Sequence, residues 1–235
     1  MYIGIENNTL SLRTYKDLIL LGGSAHRTGV APNNNCYSSL LNRAKAIYPN
    51  HNVLYRFSAQ DCISLDGLPY IGRFGGKSNN IYVATGFNKW GMTTSMVSAE
   101  IISDMICEKE NSNADIFSPR RFNISACSSN IGSNTIETIK GFSSHLKPIK
   151  TNDYCNIPKN SAKEIMFNGK KAGAYKDDDS RVYIVKLVCP HLKCKLNWNQ
   201  STKTWDCPCH GSRYSYKGEL IDNPAQESSI LIAIK

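Results

Sequence analysis

Two short arms in the last fifth of this 235-residue chain place thiols and imidazoles at metal-ligand spacing. They are Cys189-Pro190-His191-Leu192-Lys193-Cys194 and Cys207-Pro208-Cys209-His210-Gly211-Ser212. Each arm offers one thiolate and one imidazole, as C-x-H and C-x-x-H, with 15 residues between the two motifs. A 2Fe–2S cluster with two Cys on one iron and two His on the other needs this division, here Cys189, His191, Cys207 and His210. Neutral imidazoles in place of two thiolates lower the negative charge of the centre, so its reduced form costs less and its potential rises. Cys194 and Cys209 hold matching places in the two arms. A disulfide between them would clasp the arms together, a closure worth roughly 3 kcal/mol for a loop of this length. In a reducing compartment that bond needs shielding or a low potential. The hydroxyls of Ser212 and Tyr214 are placed to donate to a cluster sulfide and a cysteine sulfur, favouring the reduced state.

A tetrahedral zinc site is the alternative for a Cys₂His₂ set. Zinc leaves the second cysteine pair and the two hydroxyls without a role, and its usual spacing puts both cysteines in one arm. The string C-P-H-L-K-C followed by W-D-C-P-C-H-G-S-R-Y resembles the Rieske proteins of respiratory and photosynthetic cytochrome complexes, over about residues 161–225. The resemblance implies the same four ligands, the same disulfide pair and the same two hydroxyl donors. Pro224, after Asp222-Asn223, is similar to the proline loop that covers the cluster in that family. A Rieske oxygenase would need a second iron held by two His and a carboxylate. Only His26, His51 and His145 remain, widely spaced, so that class is set aside.

The elements that must hold these arms read as β-structure. Lys163–Phe167 and Lys170–Tyr175 flank Asn168-Gly169, a strong hairpin signal. Arg181–Val188 alternates and enters the first arm, Trp198 and Trp205 flank a polar turn, and Lys217-Gly218 marks another. Upstream, Asp17–Leu21 reads as a strand running into the Gly22-Gly23 turn, and Cys36–Tyr48 as a helix. Val53–Gln60 and Tyr70–Arg73 read as short strands. Ile81–Thr85 is a continuous apolar run, suited to a strand buried on both faces. A helix is predicted over Thr93–Cys107 with Thr93 or Thr94 as N-cap. Ser125–Asn134 reads as a loop and Thr135–Leu146 as a short helix.

The first 120 residues carry a second likeness. Ser64–Gly72, Asn80–Gly86 and Lys89–Thr93 resemble the C-terminal part of FAD-dependent amine oxidoreductases of the D-amino acid and glycine oxidase superfamily. In such proteins a strand, glycine loop and helix lie at the flavin ring. The resemblance therefore makes Gly86, Lys89, Trp90, Gly91, Met92 and Thr93 flavin-facing, with amides near Gly91–Thr93 stabilising negative charge on the ring. The strand–GxGxxG–helix that holds the ADP half of FAD is missing from the sequence, which argues against FAD binding by this chain alone. The order of flavin part and Rieske tail resembles a bacterial subgroup of fused FAD–Rieske oxidoreductases, of which this chain is similar to the C-terminal portion.

The expected organisation is an α+β part at 1–123 related to flavin oxidoreductases, a linker with a short helix at 124–160, and an all-β Rieske-type domain of small antiparallel sheets at 161–235. Apolar content of 41% and charged content of 20% are those of an ordinary globular chain. No apolar run reaches the length of a membrane span, and no secretory leader is visible, so a cytoplasmic location is expected. The net charge of +9 is scattered in pairs without interleaved aromatics, which gives no nucleic-acid partner. Cys36, Cys62, Cys107, Cys127 and Cys155 are dispersed and read as ordinary thiols. His26 reads as a hydrogen-bonded turn residue. The functional expectation is a redox protein passing electrons to or from a flavin module acting on an amine-like substrate. Its partner would be a redox protein or the missing FAD-binding half. The alternative is a stand-alone electron-transfer module without catalysis.

Overall fold

A computed structural model describes residues 2–4, 10–30, 36–75, 80–143, 148–149 and 154–234. The chain divides into two compact units, one built from Met1–Ser58 with Glu137–Lys235 and the other from Ala59–Ile136. Small antiparallel sheets dominate the first, and strands mix with helices in the second.

In the first unit, strands β6 (Ser161–Phe167) and β7 (Lys170–Lys176) form the expected hairpin. Asn168 and Gly169 have φ of 49° and 73°, the left-handed pair that a two-residue turn between twisted strands requires. With β8 (Val182–Lys186) and β13 (Ile230–Ile234) they make a four-stranded sheet in the order β13-β8-β7-β6. Alternation along β7 sorts its side chains between two cores. Ala172 and Ala174 bury against Ile165, Val182 and Ile184. Gly173 and Tyr175 face the other way, onto the tryptophans of the second sheet.

That second sheet runs β12 (Leu220–Asp222), β11 (Arg213–Ser215), β10 (Thr204–Asp206), β9 (Asn197–Asn199). Trp198 pairs directly with Trp205 across β9 and β10, their rings 4.8 Å apart. Trp205 lies flat enough on Gly173 that a Cβ there would sit 2.5 Å from its ring. The second core gathers Val185, Leu187, Leu196, Trp205, Tyr214 and Ala225 around four cysteines, Cys189, Cys194, Cys207 and Cys209.

The N-terminal segment of the first unit holds β1 (Tyr2–Ile3), β2 (Ser11–Tyr15), β3 (Leu18–Gly22) and α1 (Cys36–Ile47). The apolar run at 18–21 is a strand, as its residues predict, but it is the second arm of a hairpin turned at Lys16, whose φ is 51°. Lys-Asp is a weak turn signal and Ser11–Tyr15 a weak strand pattern, so the partner strand was not expected.

In the second unit, β4 (Tyr70–Arg73) pairs with β5 (Tyr82–Thr85), and α2 (Gly91–Ile106) and α3 (Ala114–Phe117) follow; α4 (Ile124–Ser143) begins in this unit, and its residues from 137 on, Gly141 among them, belong to the first. Four expectations are corrected. Strand β5 belongs to a two-stranded sheet and is half-buried to exposed, not buried on both faces. Residues 53–60 are exposed and form no strand, because no described segment pairs with them. Helix α2 starts two residues early, with Trp90 as N-cap, and the Thr93 hydroxyl donates back to the Trp90 carbonyl instead of capping. Residues 125–134 are helical. The Ser128 and Ser133 hydroxyls bond back to the carbonyls of Ser125 and Asn130, three residues earlier, so they do not break the helix ladder. The expected end of that helix at Leu146 lies outside the described residues.

A bidentate ion pair ties the second unit together. Arg121 Nε and Nη2 donate to Asp66 at 2.6 and 2.8 Å, while the same guanidinium reaches the carbonyls of Leu68, Pro69 and Phe117. This pairing holds the Asp66 carboxyl down at about 2, with hydrogen bonds from Leu68 N–H and Ser64 adding to it.

Candidate metal centre

Each arm is folded into a tight loop by its own backbone. In the first, Cys189 N–H donates to the Cys194 carbonyl at 2.9 Å and Lys193 N–H returns to Cys189 at 3.0 Å. In the second, Cys207 N–H donates to the Ser212 carbonyl at 2.8 Å and Gly211 N–H to Cys207 at 3.1 Å. Lys193 and Gly211 take the left-handed φ, 59° and 84°, that closes the two loops. A Cys at the start of a loop points into the core, and a His two or three residues later stands at its tip.

The side chains sort accordingly. Cys189 and Cys207 are buried, and His191 and His210 are exposed with ring centroids 5.0 Å apart. The two thiols are hydrogen-bonded to each other, which drives Cys189 well below the ordinary thiol range and Cys207 above it. Cys189 Sγ also receives the His191 N–H, and the Tyr214 hydroxyl lies 3.6 Å from it. Cys207 Sγ receives the N–H groups of Cys209 and His210. Burial, reinforced by the neighbouring Cys189, keeps Tyr214 a phenol that can donate. The Ser212 hydroxyl bonds both Cys189 and Tyr214, and it accepts from the Ala225 N–H at 3.0 Å. Partial burial and the facing His191 push His210 below the ordinary imidazole range, so it favours the neutral ring that ligates metal. Two sulfurs inside, two imidazole rings outside and backbone N–H groups aimed at the sulfurs form a donor set that fits a cluster with Cys on one iron and His on the other.

Cys194 and Cys209 form a disulfide that joins the loops. Among the described residues, one group of three close metal-binding atoms is Cys194, Cys207 and Cys209, but two of these sulfurs are bonded to each other and only Cys207 remains to ligate. The other described cysteines, Cys36, Cys62, Cys107, Cys127 and Cys155, are in no disulfide. His26 bonds the Ser24 carbonyl from Nδ1 within its own turn.

Three supports of the centre have no signal in the sequence. Gly141, in the last turn of α4, packs on the disulfide so closely that a Cβ would lie 2.7 Å from Cys209 Sγ, and its carbonyl accepts from Lys195 N–H. Arg27, which follows His26, donates from Nε to the Pro208 carbonyl at 3.1 Å and from Nη2 to the Cys209 carbonyl at 3.2 Å. Two residues on, Gly29 is buried against the Pro208 backbone, and its carbonyl accepts from the Asn197 side chain. Arg27 and Gly29 lie more than 160 residues from these partners, and neither Arg nor Gly is diagnostic of such a contact.

The residues expected to face a flavin lie in the second unit. Lys89, Trp90, Met92 and Thr93 are exposed around the start of α2, and Gly91 is half-buried. Gly86, with φ of 75°, is buried against Ser64 and Pro69 and forms the turn that leads to them.

Two family models match the chain: FAD dependent oxidoreductase over residues 5–105 and the Rieske 2Fe–2S domain over residues 148–233. The Rieske 2Fe–2S iron–sulfur protein YhfW of Bacillus subtilis is 35% identical over 96% of this chain and 45% of its own length. The cytochrome b6-f complex iron–sulfur subunit 2 of Synechocystis is 42% identical over 23% of this chain and 31% of its own. The ferredoxin of carbazole 1,9a-dioxygenase from Nocardioides aromaticivorans aligns to 36% of this chain and 84% of that one, at 17% identity and a TM-score of 0.29. The chain thus spans less than half the length of the curated relatives it matches.

Proposed function

Since the chain joins an FAD-dependent oxidoreductase segment to a Rieske 2Fe–2S domain, we propose that it is an electron-carrying redox protein in which Cys189 and Cys207 hold one iron and His191 and His210 the other. One observation carries this reading: the two loops set a hydrogen-bonded pair of buried thiols behind a pair of exposed imidazoles 5.0 Å apart. When bound, such a cluster stores one electron at a potential raised by its neutral ligands.

The residues around the site divide the remaining work. The N–H groups of His191, Cys209 and His210 hold the sulfurs as acceptors, and Tyr214 and Ser212 add hydroxyl donors that favour extra negative charge at the centre. The core behind Cys189 and Cys207, closed by Leu187, Leu196 and Trp205, excludes water from that side. His191 and His210 stand at the surface, so an electron partner can approach the imidazole edges directly.

The finer proposal is that the electrons come from, or pass to, a flavin module acting on an amine-like substrate. The loop at Lys89–Thr93 would face the flavin, and the nucleotide-binding half would be supplied by further protein. The match to the FAD dependent oxidoreductase model supports this, as does the strand–glycine–helix order of β5, Gly86 and α2. The second reading, an electron-transfer module without catalysis, follows if no flavin binds. An EPR spectrum of the dithionite-reduced protein, with iron, sulfide and flavin assayed on the same sample, tests both. A signal of low average g with two irons and two sulfides per chain is expected. Zinc in place of iron and sulfide would overturn the reading, and flavin content separates enzyme from module.

A further inference from the structure

Arg27 lies within the segment matched to the flavin oxidoreductase, yet its guanidinium sits on the second cluster loop. It donates to the carbonyls of Pro208 and Cys209, one nitrogen to each. Those two carbonyls belong to the peptide groups whose N–H ends are Cys209 N–H and His210 N–H. Both of these N–H groups donate to Cys207 Sγ. One fixed cation therefore feeds two parallel chains, guanidinium to carbonyl, through the peptide, to N–H and sulfur. A hydrogen bond at the carbonyl polarises the peptide and strengthens the bond its N–H makes. N–H donation to a ligand sulfur favours the reduced centre.

We infer that Arg27 is a positioning residue that raises the reduction potential of the cluster through the 208–209 and 209–210 peptides, so that the flavin-oxidoreductase segment sets the potential of the centre fused to it. The inference rests on the ligand reading above. Its geometry is held independently by the seam next to Arg27. Gly29 admits no side chain, because a Cβ would lie 2.5 Å from Pro208 N, and Asn197 fixes the Gly29 carbonyl at 2.8 Å.

The test compares wild type, R27Q, R27K and N197A as loaded proteins. Iron and sulfide content, midpoint potential by EPR-monitored titration and the Fe–S(Cys) stretching frequencies by resonance Raman are read on each. The potential should fall in R27Q at unchanged iron and sulfide, and R27K, which keeps the charge but not the fork, should recover part of the fall. The Fe–S(Cys) stretch should rise in R27Q as the N–H···S bonds weaken. N197A loosens the same seam without removing charge and should keep the wild-type potential. An unchanged potential in R27Q, or an equal fall in N197A, overturns the inference. If R27Q does not retain iron, R27K decides: a potential below wild type supports the relay and an unchanged one refutes it. Wild-type protein without iron and sulfide would refute the ligand reading instead.

Discussion

Replacing Gly141 by Ala should destabilise the protein, although the same change elsewhere in its helix should stabilise it. Glycine in a helix interior costs about 1 kcal/mol relative to alanine, so propensity alone favours both substitutions. Gly132 is exposed in α4 with nothing within 4 Å of its missing Cβ, so G132A should realise that gain. At Gly141 the new carbon would stand 2.7 Å from Cys209 Sγ and 3.6 Å from Cys194 Cβ. Heavy atoms rest comfortably at about 3.5–4.0 Å, so something must move by roughly 1 Å. The sulfur cannot swing aside, because the disulfide fixes it to Cys194. Overpacking of this kind costs about 1–3 kcal/mol. The propensity gain cancels between the two variants, and their difference isolates the clash at about 1–3 kcal/mol, or roughly 2–12 °C in Tm for a chain of this size. Urea unfolding followed by tryptophan fluorescence reads it, with Trp198 and Trp205 in the unit of Gly141 and Trp90 in that of Gly132. Equal stability of G141A and G132A would refute the claim that α4 rests on the disulfide.

Other consequences are as direct. Cys207→Ser should abolish the cluster, seen as loss of iron and sulfide. Tyr214→Phe removes a hydroxyl 3.6 Å from Cys189 Sγ and should lower the midpoint potential with the cluster retained. A differential of about 1 kcal/mol between redox states corresponds to roughly 40 mV for one electron. Ser212→Ala should lower the potential too, and it should also cost about 1–3 kcal/mol of stability by orphaning the buried Ala225 N–H. An unchanged potential in both hydroxyl variants would remove their assigned role. Asp66 has a folded pKa of about 2, below its unfolded value, so its pairing with Arg121 stabilises above about pH 4 and is lost as pH falls toward 2. Arg121→Gln should flatten that part of the stability–pH curve, measured by denaturation across the window.

Much of the centre is local, and local features are what a sequence carries. The loops that hold Cys189, His191, Cys207 and His210 are closed by bonds spanning five residues or fewer, and the Asn168-Gly169 turn fixes the register of β6 and β7 by itself. The disulfide partners could be named because they occupy equivalent places in two similar loops. The contacts of Arg27, Gly29 and Gly141 depend on how distant segments pack, and nothing in their neighbours marks them. Composition misled at residues 125–134, where Ser128 and Ser133, of a type that usually disfavours helix interiors, turn their hydroxyls back on the helix. It misled again at 81–85, where an apolar run belongs to a sheet of only two strands.

The unit that holds the centre is made from the two ends of the chain, with Ala59–Ile136 between them. Arg27 meets Pro208 across 181 residues. At about 5–20 residues per second on the ribosome, the early segment waits roughly 10–40 s for the loop it packs against. Through that interval β3 and α1 are synthesised but lack their final neighbours. The contact between Arg27 and the second loop therefore forms only after that loop has been made. A lesion at the seam, such as a side chain at Gly29, should first appear as slow maturation of the nascent protein.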